Sequence, residues 1–205
     1  MKHIQEYKTL GIVFAPALGG NHIANMISTS PHVENRIKTA QYEQNLIDLY
    51  NNSKGNSFHA EEFLNFSAED YTKPYNLVLE NKLTTVLPGH MEDAYWVLNK
   101  LKPLGKMGFV TVEVFNIDIF NFYKNITNRS YVENYNPYIY RFMYTKDVAS
   151  RLLDIPMDDG YVIDAEKIIQ PDITELLNNL NDELQLDMNL MLCKELHSIR
   201  YKKIH

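Results

Sequence analysis

Three short stretches of this 205-residue chain hold residue types that could do chemistry. The first is Pro16-Ala-Leu-Gly-Gly-Asn-His22, directly after the apolar run from Leu10 to Ala15. Gly19 and Gly20 permit backbone angles closed to other residues and let a ligand approach closely. Asn21 and His22 would project donors at what reads as a helix start. A helix opened by such a turn offers unpaired N–H groups and the positive end of its dipole to an anion such as phosphate. Any tight strand-to-helix connection needs similar glycines, so the residues alone leave both readings open. The second stretch is Val86-Leu-Pro-Gly-His90, where a histidine titrating near neutral pH suits general-base work. A partly buried histidine bonded to a carbonyl is the plainer reading of the same residue. The third is the region after the apolar run Phe109 to Phe115, where Lys124 and Arg129 are either surface charges or cations for a second phosphate.

Other combinations are weaker. The turn is not a Walker A loop, since Gly-x4-Gly-Lys-Ser/Thr is missing, and it is not the Rossmann Gly-x-Gly-x-x-Gly. His59 with Glu61 and Glu62 reads as a solvated helix start. No His-Glu-x-x-His set occurs, and the single cysteine, Cys193, permits neither an intramolecular disulfide nor a multi-cysteine zinc site. No metal site is expected. Tyr131, Tyr135, Tyr138, Tyr140, Phe142 and Tyr144 could stack on a base or sugar, but an amphipathic helix lying on a sheet explains them more simply.

These residues need a scaffold, and the chain supplies one. Leu10–Ala15 reads as a buried strand, and Ile23, Met26 and Ile27 recur at helical spacing until Ser28–Pro31. A helix is expected over Thr39–Tyr50, a loop over Asn51–Ser57 and a short helix over Phe58–Phe66. Thr84–Leu87 reads as a strand ending in a Pro-Gly-His turn, followed by a helix over Glu92–Leu101. Gly108–Phe115 is a second clear strand. Helices fit Ile117–Lys124 and Tyr138–Leu153. Gly160–Asp164 is a late strand after the turn Asp158-Asp-Gly160, and helices follow from Pro171 and over Met188–Ile204. Strands alternating with helices predict an α/β layer with a mainly parallel sheet flanked by helices. In such a sheet ligands sit beyond the carboxyl ends of the strands. If the three strands are neighbours, the glycine turn, His90 and the Asn116–Lys124 segment converge there.

Composition sets the limits. The length and the 45% hydrophobic content suit one globular domain over residues 1–205. A formal net charge of −6 without a Lys/Arg cluster argues against nucleic acid as a partner. No apolar stretch approaches the roughly 20 residues that span a bilayer, so no membrane partner is expected. Asn51, Asn65, Asn125 and Asn128 head glycosylation sequons, yet no basic-then-apolar leader precedes them, and a cytoplasmic location is expected. The abundance of Asn and Tyr fits an A/T-rich viral or bacterial genome.

Taken together, these stretches resemble the sulfotransferases, in particular the short, divergent sulfotransferase-like P-loop proteins of phages and bacteria. That family opens with a strand and a Pro-Lys-Ser-Gly-Thr-Thr or Gly-Gly-Thr loop, and Pro16–His22 stands in that place. A later family strand ends in a turn whose histidine acts as base, matched by Val86–His90. A third strand leads to an Arg and, about eight positions on, a Ser that grip a 3′-phosphate; these positions fall on Asn116 and Lys124. The tail, with Tyr161–Asp164, the helix after Pro171 and a closing helix carrying Leu196-His197, is also similar. The resemblance implies a three-layer P-loop-type fold. It also implies 3′-phosphoadenosine 5′-phosphosulfate as donor and a small-molecule or glycan hydroxyl or amine as acceptor. Gly19, Gly20, Asn21, His22, Asn116 and Lys124 would hold the nucleotide, with His90 as catalytic base. Ala17 replaces the family's loop lysine and Asn116 its arginine. Charged hydrogen bonds are the strong ones, and losing one such donor costs ~10²–10³ in rate. Either other cations (Lys124, Arg129 or Arg141) substitute, or the fold serves as a non-catalytic nucleotide- or phosphate-binding or assembly module.

Overall fold

A computed structural model describes residues 3–16, 18–34, 41–53, 71–90, 92–127 and 136–205. The expected helix over Phe58–Phe66, and with it His59, Glu61 and Glu62, lies outside the described residues, as do Ala17, Arg129, Tyr131 and Tyr135.

Five strands form one sheet: β1 (Thr9–Phe14), β2 (Val33–Glu34), β3 (Thr84–His90), β4 (Met107–Glu113) and β5 (Gly160–Asp164). Their order is β2-β3-β1-β4-β5, and every pairing is parallel. All residues of β1 and β4 are buried. That is why both read as continuous apolar runs without alternation, the mark of strands covered on both faces.

The helices are α1 (Gly20–Ile27), α2 (Tyr42–Asn52), α3 (Thr72–Glu80), α4 (Glu92–Leu101) and α5 (Asp118–Thr127). They continue with α6 (Pro137–Met143), α7 (Lys146–Leu153), α8 (Thr174–Leu184) and α9 (Leu190–Ile204). Side chains alternate across a strand, so Gly11 and Phe14 of β1 face opposite sides of the sheet. Leu98 of α4 packs over Gly11, and the start of α1 packs against Phe14. The two crossover helices therefore lie on opposite faces, which gives three layers. With α4 go α3 and α7, and with α1 go α2 and α9. Leu46 and Tyr50 of α2 form a small apolar cluster with Leu192 and Leu196 of α9, outside the main core.

Two expectations need correction. Pro88-Gly89-His90 is no turn but the end of β3, registered against Ile12, Val13 and Phe14. Proline lacks the N–H that a central strand must donate. It is accepted here because the described residues of β2 pair only with Thr84 and Thr85, and no described strand pairs with the outer edge of β3 at Pro88. The helix expected over Tyr138–Leu153 is broken at Tyr144–Thr145, where the Thr145 Oγ1 accepts from the Val148 amide (3.3 Å) and starts α7. Tyr144 is buried, whereas Tyr138 and Phe142 are 63% and 67% exposed and do not lie on the sheet. No described helix is long and apolar enough to cross a membrane.

Candidate functional site

The connection from β1 to α1 is built on two glycines with different tasks. Gly19 adopts φ 81° and ψ 15°, the left-handed region, and is the N-cap of α1. An L side chain there is strained by roughly 1–2 kcal/mol. Gly20 has an ordinary conformation, but a Cβ on it would overlap the Phe14 ring. The chain thus folds back against the end of its own strand. The Leu18 amide closes the turn on the Ala15 carbonyl (3.1 Å), and the Ile23 amide begins the helix on the Gly19 carbonyl (3.1 Å). The amide of Gly20, the first residue of α1, has no partner within the helix. It stands at the positive end of the helix dipole, where negative charge is favoured by about 0.3–1 kcal/mol per group.

The three expected features meet at one edge of the sheet. β1 lies between β3 and β4, and Phe14 is level with His90 on one side and Val112 on the other. The glycine turn therefore leaves the sheet between the end of β3 and the Val114–Asn116 exit from β4. The chain leaves β1 on the α1 face and returns to β4 through α4 on the opposite face. Strand order reverses about β1, and ligands of open α/β sheets bind at such a point. The side chains of His90 and Lys124 lie outside the described part of the molecule; their backbones are in β3 and α5. Asn116 is exposed, and its Oδ1 accepts from the Asp118 amide (3.1 Å) at the start of α5, which leaves its amide donor for other contacts.

The His22 side chain does not project toward the turn, contrary to expectation. It is 1% exposed and enters a buried polar cluster between α1, α2 and α9. Its Nδ1 lies 2.6 Å from the Tyr50 hydroxyl, and its Nε2 lies 3.2 Å from Nδ1 of His197. His197 Nε2 reaches the Gln170 carbonyl at 2.7 Å. Asn25 donates to the Tyr50 hydroxyl (3.3 Å). Arg200, with no exposed surface, donates Nη1 to the Ile168 carbonyl (3.0 Å), while its Nε and Nη2 have no hydrogen-bond partner among the described residues. Burial, then the Arg200 and His197 charges, hold the His22 imidazole well below its ordinary range. Burial first, opposed by the Gln170 carbonyl, holds His197 low as well. The same burial raises the Tyr50 phenol.

A second buried group also escaped the sequence reading. The Glu113 carboxylate, at the end of β4, accepts from Thr111 Oγ1 (3.0 Å) and from the Lys146 amide (2.6 Å), fastening the first residue of α7 to the central sheet. Its signal in the sequence was an acid inside a run of β-branched and aromatic residues. The signal for the first cluster lies in α9. Cys193, Leu196, His197, Arg200 and Ile204 are all buried at helical spacing, so two polar residues occupy a core-facing stripe.

A cavity of about 280 Å³ lies at the other end of the sheet, lined by Tyr7, Lys8, His32, Lys82, Thr84 and Lys106 among others. Two of its three lysines are already engaged: Lys106 with Glu6 (3.3 Å) and Asp159 (3.5 Å), and Lys8 with the Asn81 carbonyl. It sits at the amino ends of the strands, away from the glycine turn.

No family model, curated protein or solved structure matches this chain. Among the described residues no group of three or more His, Cys, Asp or Glu is placed to hold a metal ion.

Proposed function

We propose that the chain is a sulfotransferase-like protein that binds a nucleotide phosphosulfate at the β1–α1 turn. The observation that carries this reading is the turn itself: a left-handed Gly19 N-cap and a Gly20 pressed on Phe14, at the carboxyl end of the central strand. In that role the amides from Gly19 to His22 hold the 5′-phosphosulfate of 3′-phosphoadenosine 5′-phosphosulfate. Asn116 and Lys124, on the segment leaving β4, hold the 3′-phosphate. His90, level with Phe14 on the neighbouring strand, is the general base. The acceptor hydroxyl or amine attacks sulfur, the S–O bond to the 5′-phosphate breaks, 3′-phosphoadenosine 5′-phosphate leaves, and the acceptor proton passes to His90. A small molecule or glycan is the acceptor, no nucleic acid or membrane is a partner, and the work is done in the cytoplasm.

Ala17 and Asn116 favour a second reading, in which the same turn binds a nucleotide or phosphate for recognition or assembly without transfer. One pair of experiments separates the two. Calorimetry with 3′-phosphoadenosine 5′-phosphate is expected to show binding, and absence of binding at millimolar nucleotide removes the donor from both accounts. Labelled sulfonyl transfer to an acceptor in a host extract, lost in His90→Ala with nucleotide affinity nearly unchanged, establishes the enzyme. Nucleotide binding without transfer leaves the binding module.

A further inference from the structure

The buried cluster behind the turn has its proton positions dictated by one group. The Gln170 carbonyl can only accept, so Nε2 of His197 carries a proton. A neutral His197 then has a lone pair on Nδ1, and the proton in its contact with His22 must come from His22 Nε2. That leaves a lone pair on His22 Nδ1, which takes the Tyr50 hydroxyl proton, and the Tyr50 oxygen accepts from Asn25. Donors thus run in one direction, from Asn25 on α1 through Tyr50 on α2 and His22 on α1 to His197 on α9 and the backbone after β5. Each contact holds one proton and has no room for a second.

We propose that the His22–His197 contact is an acid-sensitive latch that fastens α2 and α9 to α1. With His22 held as the Nε2–H tautomer by the Tyr50 hydroxyl donating to its Nδ1, a proton added to Nδ1 of His197 sets two N–H groups against each other and places an imidazolium beside the buried Arg200 guanidinium. A proton on His22 breaks the Tyr50 bond in the same way. The charged and titratable surroundings favour opening. From α9 come Arg200, which has no ion-pair partner among the described residues, and the buried Cys193 thiol, pushed up to about 11 by burial. From α2 comes Tyr50, with its phenol held neutral, and Tyr42 behind it. From the segment before α8 comes Asp172, whose carboxylate favours a proton on His197. It is itself engaged with the Thr174 amide (2.8 Å) and lies within reach of the Lys194 charge. Among the described residues, one exposed carboxylate therefore opposes one buried guanidinium that has no ion-pair partner. Opening also returns Arg200 to water, and burying an unpaired charge is among the costliest states in a protein. The latch stands on the packing of the cluster and is independent of the proposed activity. It acts on the helix that the glycine turn begins.

The test is hydrogen–deuterium exchange of the full chain at pH 7.5 and pH 5.5, corrected for intrinsic rates. One pH unit below a histidine's ordinary value favours the open form by up to about tenfold per ring. Exchange in Tyr42–Asn52 and Leu190–Ile204 is expected to rise about tenfold or more at pH 5.5, with Glu92–Leu101, on the opposite face, unchanged. His197→Gln keeps an amide donor for the Gln170 carbonyl and cannot take a proton, so its acid response is expected to shrink by about tenfold. Imidazole nitrogen spectra of the unaltered chain provide a second readout. Both rings are expected as neutral Nε2–H tautomers at pH 7.5, and to lose that form together with the protection of α9. An equal change in exchange of α9 and α4 between pH 7.5 and 5.5, an Nδ1–H tautomer on either ring at pH 7.5, or a full acid response in a folded His197→Gln overturns the latch.

Discussion

On one side of the first turn of α1, Gly19 and Gly20 bring main-chain amides to the carboxyl edge of the central strand. On the other, His22 turns its ring into a sealed cluster with Tyr50 and His197. A single residue, Asn21, separates these regions, yet they solve opposite problems. The outer side depends on main-chain amides held by backbone geometry, set once a glycine adopts φ 81° at position 19. The inner side satisfies polar side chains that have been removed from water, and it does so only when partners far along the chain arrive. Partners of His22 are 28 and 175 positions away. On the proposed reading, one helix end serves as both a binding element and a structural junction, with the roles divided between main chain and side chain.

Substitutions break this comparison in graded ways. The largest effect is expected from His22→Ala, which removes the acceptor of the Tyr50 hydroxyl and the partner of His197 Nδ1 in the interior. Each unsatisfied buried group costs about 1–3 kcal/mol, and urea unfolding should show a loss at the upper part of that range or beyond. Gly20→Ala drives a methyl into the Phe14 ring, and overpacking of this kind costs about 1–3 kcal/mol. Its diagnostic feature is that phosphate affinity falls along with stability. Gly19→Ala is smaller, about 1–2 kcal/mol, because only the left-handed backbone is penalised. An unchanged unfolding midpoint in Gly19→Ala would mean that the turn has another conformation.

Acid sharpens the contrast. Burial holds the folded-state affinity of His22 and His197 for protons below that of the unfolded chain, whose histidines titrate near 6.5. Below that pH the unfolded chain binds more protons, so the contribution is complete above about 6.5 and declines as pH falls. The slope is at most about 1.4 kcal/mol per pH unit for each ring. Urea midpoints measured between pH 7.5 and 5.5 check the sign, and His22→Ala should flatten the curve. A midpoint that rises on acidification contradicts the cluster as described.

The parts legible in the sequence were those governed by local rules. β1, β4, α4 and β5 came from apolar runs and helical spacing, and the glycine turn came from two adjacent residues with one backbone consequence each. Pro88 misled because proline and glycine are turn signals wherever neighbours are unknown. Among the described residues, β2 pairs with β3 only at Thr84 and Thr85, which leaves that position at an edge. His22 misled for the same reason, since a donor at a helix start is equally a donor to whatever helix packs behind it. Glu113, Tyr50 and Arg200 were invisible because their partners are the Lys146 amide, a ring on α1 and the Ile168 carbonyl, all supplied by tertiary packing.

On the proposed reading, the amides opening α1 bind a doubly charged oxyanion. The most direct measurement is a titration of ¹⁵N-labelled protein with 3′-phosphoadenosine 5′-phosphate, followed amide by amide. Saturable shifts centred on Gly19, Gly20 and Asn21, weakened in Gly20→Ala, are the predicted result. Shifts that leave those three amides untouched at millimolar nucleotide would contradict it.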